Sequence, residues 1–282
     1  MAGTGADILA ELQGLAKGPV QTAMWWLGQA GWALRGNGTT LLIDPFLSPH
    51  EGRRYESTLP AASATGVDLV FCSHEHVDHF DPGGAPAIAA ASPGATFVVP
   101  APIVEMVTEA GIAKERVLGV QPGETHELDG IIVRPVPARH GVTMADAYGF
   151  GEELSGGLIR FVGFVLEMDG VRIYHAGDTI HYEGMEAAIG ALRPHVALLP
   201  INGRHAEREA RGIVGNLNER EAAWLAATIG SETLIPMHHD LFTRNLGSAA
   251  EVVEAAEEEG RVVTVLVPPR ETPFVLVAGR ER

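Results

Sequence analysis

The chain has 282 residues, of which 46% are hydrophobic and 20% are charged, and its formal net charge at pH 7 is -16. This composition is typical of a soluble, folded protein. It excludes disordered, collagen-like and membrane-spanning chains, since no apolar run approaches the roughly 18 to 20 residues that a bilayer span needs. The excess of negative charge disfavours nucleic acid and anionic membranes as partners, so a small molecule is the expected substrate.

The cysteine content and the N-terminal residues bear on the cellular compartment. Cys72 is the only cysteine of the chain, which excludes an internal disulfide, and its apolar neighbours place it in a buried strand. The N-terminus shows no basic stretch followed by an apolar run. We therefore expect no secretory signal and a cytoplasmic protein.

Apolar runs bounded by glycine, proline or aspartate predict strands, and longer runs with helical spacing predict helices. In chain order, the predicted elements are strands at 23–27, 41–43, 69–72 and 97–99, a helix at 103–110, strands at 131–136, 161–166 and 171–174, a helix at 185–192, a strand at 196–199, a helix at 219–228, a strand at 234–235, a helix at 249–259, and strands at 262–267 and 274–277. This order suggests two sheets with helices outside. No repeat or low-complexity linker divides the chain, so we predict one domain over residues 1–282 with its core at 22–278.

Two short motifs predict a turn and a helix start. Asp169 and Gly170 form a short polar pair between two apolar runs, which predicts a hairpin turn. Asn218 is followed three residues later by Glu221, which is the spacing of a capping box at a helix start.

The densest group of metal-ligand residue types follows the apolar strand predicted at 69–72. This segment contains His74, His76, Asp78 and His79 within six residues. Imidazole nitrogens and carboxylate oxygens bind Zn²⁺, Mn²⁺ or iron, and a strand-to-loop corner holds such side chains on a rigid scaffold. A solvated polar loop is the alternative, but this spacing favours a metal site.

A two-metal site needs more ligands than one loop supplies, and His140, Asp178 and His238 each follow a predicted strand. Each also has an ordinary explanation, as a surface loop residue, a helix cap and a satisfied polar group respectively. Asp44 ends its own strand. It is either the partner that orients a ligand histidine or a turn former before Pro45.

Together with the first motif, these residues resemble the metallo-β-lactamase superfamily, and within it the branch of L-ascorbate-6-phosphate lactonase and related metal-dependent hydrolases. The resemblance extends over residues 25–245 and includes the segments at 26–31, 42–48, 175–179 and 235–238. It implies an α/β fold in which two mixed β-sheets flanked by helices form a four-layer αββα sandwich, with the site at one edge between the sheets.

The resemblance also implies roles for individual residues. One divalent ion would be held by His74, His76 and His140, the other by Asp78, His79 and His238, with Asp178 bridging them. The two ions would be Mn²⁺ or Zn²⁺, and Asp78 and Asp178 would be the catalytic carboxylates of a hydrolase that uses a metal-bound hydroxide. We expect His238 rather than the adjacent His239 to be the ligand, with His239 as a supporting neighbour.

Residues 202–217 form a basic segment with Arg204, Arg208 and Arg211, and with Gly203 and Gly212 around them. The segment is either a solvated loop or a clamp in which Arg204 and Arg208 bind a phosphate or carboxylate of the substrate. His181, close to Asp178, is a further candidate substrate contact.

The expected function is therefore that of a hydrolase for a small anionic ester or lactone, most like a sugar-acid phosphate lactonase. We expect the protein to form a homo-oligomer. Two alternatives stay open: a phosphodiesterase of the same superfamily, and a non-catalytic metal-binding module. Fold-level resemblance does not decide between them, because one fold hosts many substrates.

Overall fold

The computed structural model of the protein describes residues 4–15, 21–142, 154–202, 206–258, 260 and 263–277. The strands of this part of the chain are β1 Gln21–Gly28, β2 Gly31–Gly36, β3 Thr39–Ile43, β4 Leu69–Phe71, β5 Thr96–Pro100, β6 Val117–Val120, β7 His126–Leu128, β8 Ile131–Pro137, β9 Leu154–Ser155, β10 Leu158–Ile159, β11 Val162–Met168, β12 Val171–His175, β13 Val196–Pro200, β14 Thr233–Met237, β15 Thr264–Val265 and β16 Phe274–Val277. Its α-helices are α1 Gly5–Gly14, α2 Ala85–Ala91, α3 Val104–Glu109, α4 Met185–Gly190, α5 Ala206–Ala210, α6 Glu219–Thr228 and α7 Ala249–Glu258. Within these ranges, no helix is both long and apolar enough to cross a bilayer.

Two mixed sheets form the body of the protein. The strand order is β16-β1-β2-β3-β4-β5-β6 in the first sheet and β15-β14-β13-β12-β11-β8-β7 in the second. Neighbours from β3 to β6 are parallel, and so are neighbours from β12 to β15. The other neighbours in both sheets are antiparallel. The predicted α/β class, with two mixed sheets flanked by helices, is confirmed.

The buried apolar side chains fall into three layers. Trp26 of β1 and Phe164 of β11 lie in the layer between the two sheets. Successive side chains of a strand point to opposite faces, so Trp25 lies on the outer face of the first sheet, in the layer that contains Leu9 of α1. Leu225 of α6 belongs to the layer on the outer face of the second sheet. The layers therefore follow the order helix, sheet, sheet, helix.

The structure confirms the local turn and cap predictions. Asp169 and Gly170 have φ angles of 49° and 79° and join β11 to β12, which pair antiparallel. At the start of α6, the Asn218 side chain accepts a 2.8 Å hydrogen bond from Glu221 N, and Asn218 N donates to Glu221 Oε2 at 3.1 Å. Cys72 is buried, as its neighbours predict.

Three larger elements, β2, α1 and α2, are not indicated by the sequence pattern. The β2 segment begins and ends with glycine, which is typical of turns, yet it pairs with β1 on one side and β3 on the other. In α2, the alanine-rich sequence lacks a clear apolar face. The strand predicted at 262–267 is too long, because the described residues of that segment form only the two-residue strand β15.

Strand direction brings the candidate ligands to one edge. Asp44 and His74 follow the parallel strands β3 and β4. In the second sheet β8, β12 and β14 point the same way, since β8 and β12 both pair antiparallel with β11, and β14 is linked to β12 through parallel β13. His140, Asp178 and His238 follow these three strands. Packing of the two sheets therefore places residues from distant parts of the sequence around one point.

Candidate metal centre

Histidine and aspartate side chains at this edge form three overlapping groups, in each of which the potential ligand atoms lie within 4.8 Å of one another. The groups are His74, His76 and His140; His74, His79 and Asp178; and Asp78, His79 and His238. Because His74 and His79 each belong to two groups, the seven side chains form one continuous cluster. All seven are the residues that the sequence analysis selects as ligands.

Asp178 lies in the middle of this cluster. Its Oδ1 is 3.3 Å from His79 Nε2 and 3.4 Å from His238 Nε2, whereas its Oδ2 is 3.5 Å from His140 Nε2. Burial alone would raise the pKa of the Asp178 carboxyl, but His238, His79 and His140 together hold it well below its usual value. Asp178 is therefore a carboxylate whose two oxygens face different histidines.

Two histidines of the cluster, His79 and His140, are oriented by hydrogen bonds at Nδ1. His79 Nδ1 lies 2.7 Å from Asp44 Oδ2, and His140 Nδ1 lies 2.6 Å from Gly215 O. Asp44 also accepts hydrogen bonds from Ser73 N and Ser73 Oγ, both at 2.7 Å. When Nδ1 donates in this way, Nε2 carries the lone pair toward the cluster.

Burial and neighbouring carboxylates set the protonation states of these histidines. His74 Nε2 is buried without a hydrogen-bond partner among the described residues. Burial lowers the pKa of His74 and brings that of His76 to about 4, so both imidazoles are neutral and able to bind a metal. For His79 burial acts in the same direction, but Asp178, Asp44 and Asp78 outweigh it and raise its pKa. Five imidazoles and two carboxylates in one largely buried cluster are residue types that fit a divalent metal ion.

Gln29 is a neighbour of the cluster that sequence reasoning missed. Its side-chain Nε2 donates to Asp78 Oδ2 at 2.8 Å and lies 3.0 Å from His238 Nε2. Its backbone carbonyl accepts a hydrogen bond from the backbone N–H of His238 at 2.9 Å. Gln29, Asp44 and His238 have φ angles of 53°, 45° and 57°, a left-handed conformation that is uncommon outside glycine. The available signal was a single amide side chain inside the otherwise apolar segment that links β1 to β2.

Phe161 provides an apolar wall beside the histidines. Its ring centroid lies 5.4 Å from that of His74 and 5.6 Å from that of His140. The preceding Arg160 forms an ion pair with Glu75, which belongs to the ligand loop itself. This pair ties the loop to the start of β11, so the second sheet supports the ligands of the first.

Two predicted neighbours of the site, His181 and His239, pack against tryptophan rings. The His239 ring stacks on Trp26 with a centroid distance of 5.4 Å, and its Nε2 has no hydrogen-bond partner among the described residues, so its supporting role stays a prediction. His181 Nε2 lies 3.0 Å from Glu186 Oε1, and its ring packs against Trp224 at 5.1 Å. These contacts place His181 against helices α4 and α6, and its role as a substrate contact stays a prediction.

The cluster opens into a cavity of about 640 Å³. His76, Asp78, Asp178 and His238 line one part of it, and its other lining residues include Arg208, Phe242 and Asn245. Arg208 Nη1 donates to Asn202 O at 2.7 Å and also bonds Asn245 Oδ1, so part of its guanidinium is engaged by the protein. Arg204, the other predicted substrate contact, lies outside the described residues.

The metal-free protein is expected to lose stability as the pH falls from 6.5 toward 4. Burial lowers the pKa of His74, His76, His140 and His175 in the folded state, so in this range the unfolded chain binds more protons. The raised pKa of His79 does not offset the loss, because its contribution changes only above pH 6.5. Calorimetry of chelator-treated protein should show Tm rising with pH across this window. A constant Tm would contradict these histidine environments.

Comparison with known proteins agrees with this geometry. Residues 39–239 match the family described as beta-lactamase superfamily domain. A UPF0173 metal-dependent hydrolase from Methanopyrus kandleri is 33% identical over 86% of this chain and 94% of its own, and one from Methanoregula boonei is 32% identical over 88% and 95%. The metallo hydrolase Igni18 from Ignicoccus hospitalis has a similar fold, with a TM-score of 0.68 and 24% identity over 91% of this chain and 98% of that one. The chain thus belongs to the metallo-β-lactamase superfamily.

Proposed function

We propose that this protein is a dinuclear metal-dependent hydrolase that acts on a small anionic ester or lactone, most like a sugar-acid phosphate lactone. The observation that carries the proposal is the continuous cluster of seven histidines and aspartates, at whose centre Asp178 faces histidines through both oxygens. The relatives named as metal-dependent hydrolases support the reaction class. The cavity beside the cluster offers room for a small substrate.

In this proposal, two of the three groups would each hold one ion. His74, His76 and His140 would hold one, and Asp78, His79 and His238 would hold the other, with Asp178 shared. Mn²⁺ and Zn²⁺ both suit a mixture of imidazole and carboxylate, and the resemblance to the lactonase branch favours Mn²⁺. A pair of such cations lowers the pKa of a bound water and polarises the carbonyl or phosphoryl oxygen of the substrate.

Asp78 is suited to proton transfer. Its side chain is 17% exposed, compared with 3% for Asp178, and it lines the cavity. Burial would raise the pKa of its carboxyl, but His79 and His238 outweigh this and keep the pKa below the usual value, so Asp78 is ionised in the free protein. The hydrogen bond that Gln29 Nε2 donates to Asp78 Oδ2 holds this carboxylate in one orientation.

The protein is expected to bind two metal ions per chain. Seven ligand side chains in overlapping groups exceed the three or four that one ion normally takes from a protein. Elemental analysis of metal-replete, buffer-exchanged protein measures the ratio directly. One ion per chain, or none, would contradict the dinuclear proposal.

The reaction class is tested with the Mn²⁺- and Zn²⁺-loaded protein on two probes, a phosphorylated δ-lactone and bis-p-nitrophenyl phosphate. Lactone hydrolysis is the expected result, and chelator treatment should remove it. Cleavage of the diester alone would replace the lactonase proposal with a phosphodiesterase of the same superfamily. Inactivity of the fully loaded protein on both probes would favour a non-catalytic metal-binding module.

A further inference from the structure

Two arginines from separate segments face the cavity of the metal cluster. Arg211 follows α5, and Arg244 lies in the loop after β14. Both are exposed, and neither side chain has a hydrogen-bond or ion-pair partner in the part of the chain that the structure describes. Arg208, which lines the same cavity, is instead bonded to Asn202 O and Asn245 Oδ1. Arg211 and Arg244 thus keep their guanidinium donors available for a ligand.

These arginines also border a second cavity of about 650 Å³, which adjoins the first. The residues that line both cavities are Arg208, Arg211, Thr243 and Arg244. No member of the metal cluster lines the second cavity. The arginines therefore stand at the junction of the two cavities, on the side of the cleft that leads away from the candidate reaction centre.

The positive charges of Arg211 and Arg244 contrast with the net negative charge of the protein. The chain has a net charge of -16, so most of its surface repels anions. Glu207 lines the second cavity, yet it forms no ion pair with Arg211 or Arg244 among the described residues. Two guanidinium groups that line both cavities suit an anionic ligand, since each can bind a phosphate or carboxylate through two parallel hydrogen bonds.

We propose that Arg211 and Arg244 together bind an anionic group of the substrate, a phosphate or carboxylate, that is separate from the bond being cleaved. The scissile group lies at the metal cluster and the anionic group at the junction, so the substrate spans the first cavity. This inference rests on the proposed hydrolase function for the location of the reacting group. It reassigns charge recognition from Arg204 and Arg208 to a pair of residues that are 33 positions apart in the sequence.

The test uses two lactones with the same ring, a hydroxymethyl δ-lactone and its phosphate monoester, with the metal-loaded full-length protein. The measured quantity is the ratio of kcat/KM for the phosphorylated lactone to kcat/KM for the neutral one. Arg211→Gln and Arg244→Gln should each lower this ratio about tenfold, mainly through KM for the phosphorylated lactone. Arg220→Gln is the matched control, because Arg220 pairs with Glu258 on the surface of α6 and lies outside both cavities. It should leave the ratio unchanged.

Binding without turnover provides a second measurement. Calorimetry with chelator-treated protein gives Kd for the phosphorylated lactone. This Kd should rise about tenfold in each cavity variant, and salt should weaken binding in the wild type.

If both lactones are hydrolysed and the ratio is the same in Arg211→Gln, Arg244→Gln and wild type, the anion site is wrong and the hydrolase proposal stands. If neither lactone is hydrolysed but binding depends on both arginines, the anion site stands and the lactonase proposal fails. Kd values that do not differ between wild type and the cavity variants overturn the inference.

Discussion

Asp178→Asn is expected to lower kcat/KM by at least about 10³-fold and to reduce the metal content of the purified protein. The Asp178 carboxylate lies within 3.5 Å of three ligand histidines, His79, His140 and His238. Asparagine keeps the size of the side chain, so the packing is retained while the negative charge that would bind and balance the cations is lost. Steady-state kinetics and elemental analysis of the same preparation measure both effects.

Asp68→Asn is the matched control for this substitution. Asp68 Oδ2 accepts a hydrogen bond from Thr40 N at 2.8 Å, at the opposite end of β4 from His74. It should retain metal and activity. If Asp178→Asn kept the wild-type metal content and activity, the proposal that two metal ions share Asp178 would be wrong. Equal losses in both variants would point to a damaged fold, which circular dichroism would reveal.

Asp44→Asn is expected to weaken metal binding about 10- to 100-fold while the protein still folds. Asp44 is completely buried and lies 2.7 Å from His79 Nδ1, so its charge fixes the tautomer in which His79 Nε2 can bind a metal. Its φ of 45° is a conformation that asparagine adopts nearly as readily as aspartate, so the backbone is not strained by this change. Metal affinity is measured by competition with a chromophoric chelator.

Asp44→Ala separates the role of Asp44 in stability from its role at the metal. Alanine leaves Ser73 N, Ser73 Oγ and His79 Nδ1 without their buried acceptor and occupies a left-handed conformation poorly, so we expect a loss of about 2–4 kcal/mol in the free energy of unfolding of the metal-free protein. Denaturant titration measures it. Wild-type metal affinity in Asp44→Asn, together with wild-type stability in Asp44→Ala, would show that the Asp44–His79 contact has neither role.

Much of the ligand cluster was predictable because its signals are local. His74, His76, Asp78 and His79 lie within six residues, shortly after a strand whose apolar sequence predicts that it is buried. The same holds for the Asp169-Gly170 turn and for the Asn218 cap, where the required backbone conformation limits which residues can stand there. His140, Asp178 and His238 were candidates only because each follows a predicted strand, and the resemblance to a known family gave them their roles, since no spacing rule connects them.

Other features were decided by tertiary contacts. The β2 segment has glycines at both ends, but pairing with β1 and β3 makes it a strand, because neighbours on both sides satisfy its backbone hydrogen bonds. Gln29 reaches Asp78 and His238 only because the turn after β1 is packed against the loop after β14. Likewise, His181 and His239 are placed by the aromatic rings of Trp224 and Trp26.

By itself, then, the sequence indicated two sheets with helices outside and the first group of candidate ligands, since these depend on hydrophobic periodicity and on a short motif, while the sandwich and the full ligand set followed from the family resemblance. Only the tertiary structure decided what surrounds the ligands. Arg211 and Arg244 carry no motif and are far apart in sequence, yet they line the same two cavities. The physical reason is that periodicity reports which face of an element is buried, whereas the distance between residues of different elements depends on how the sheets and their loops pack.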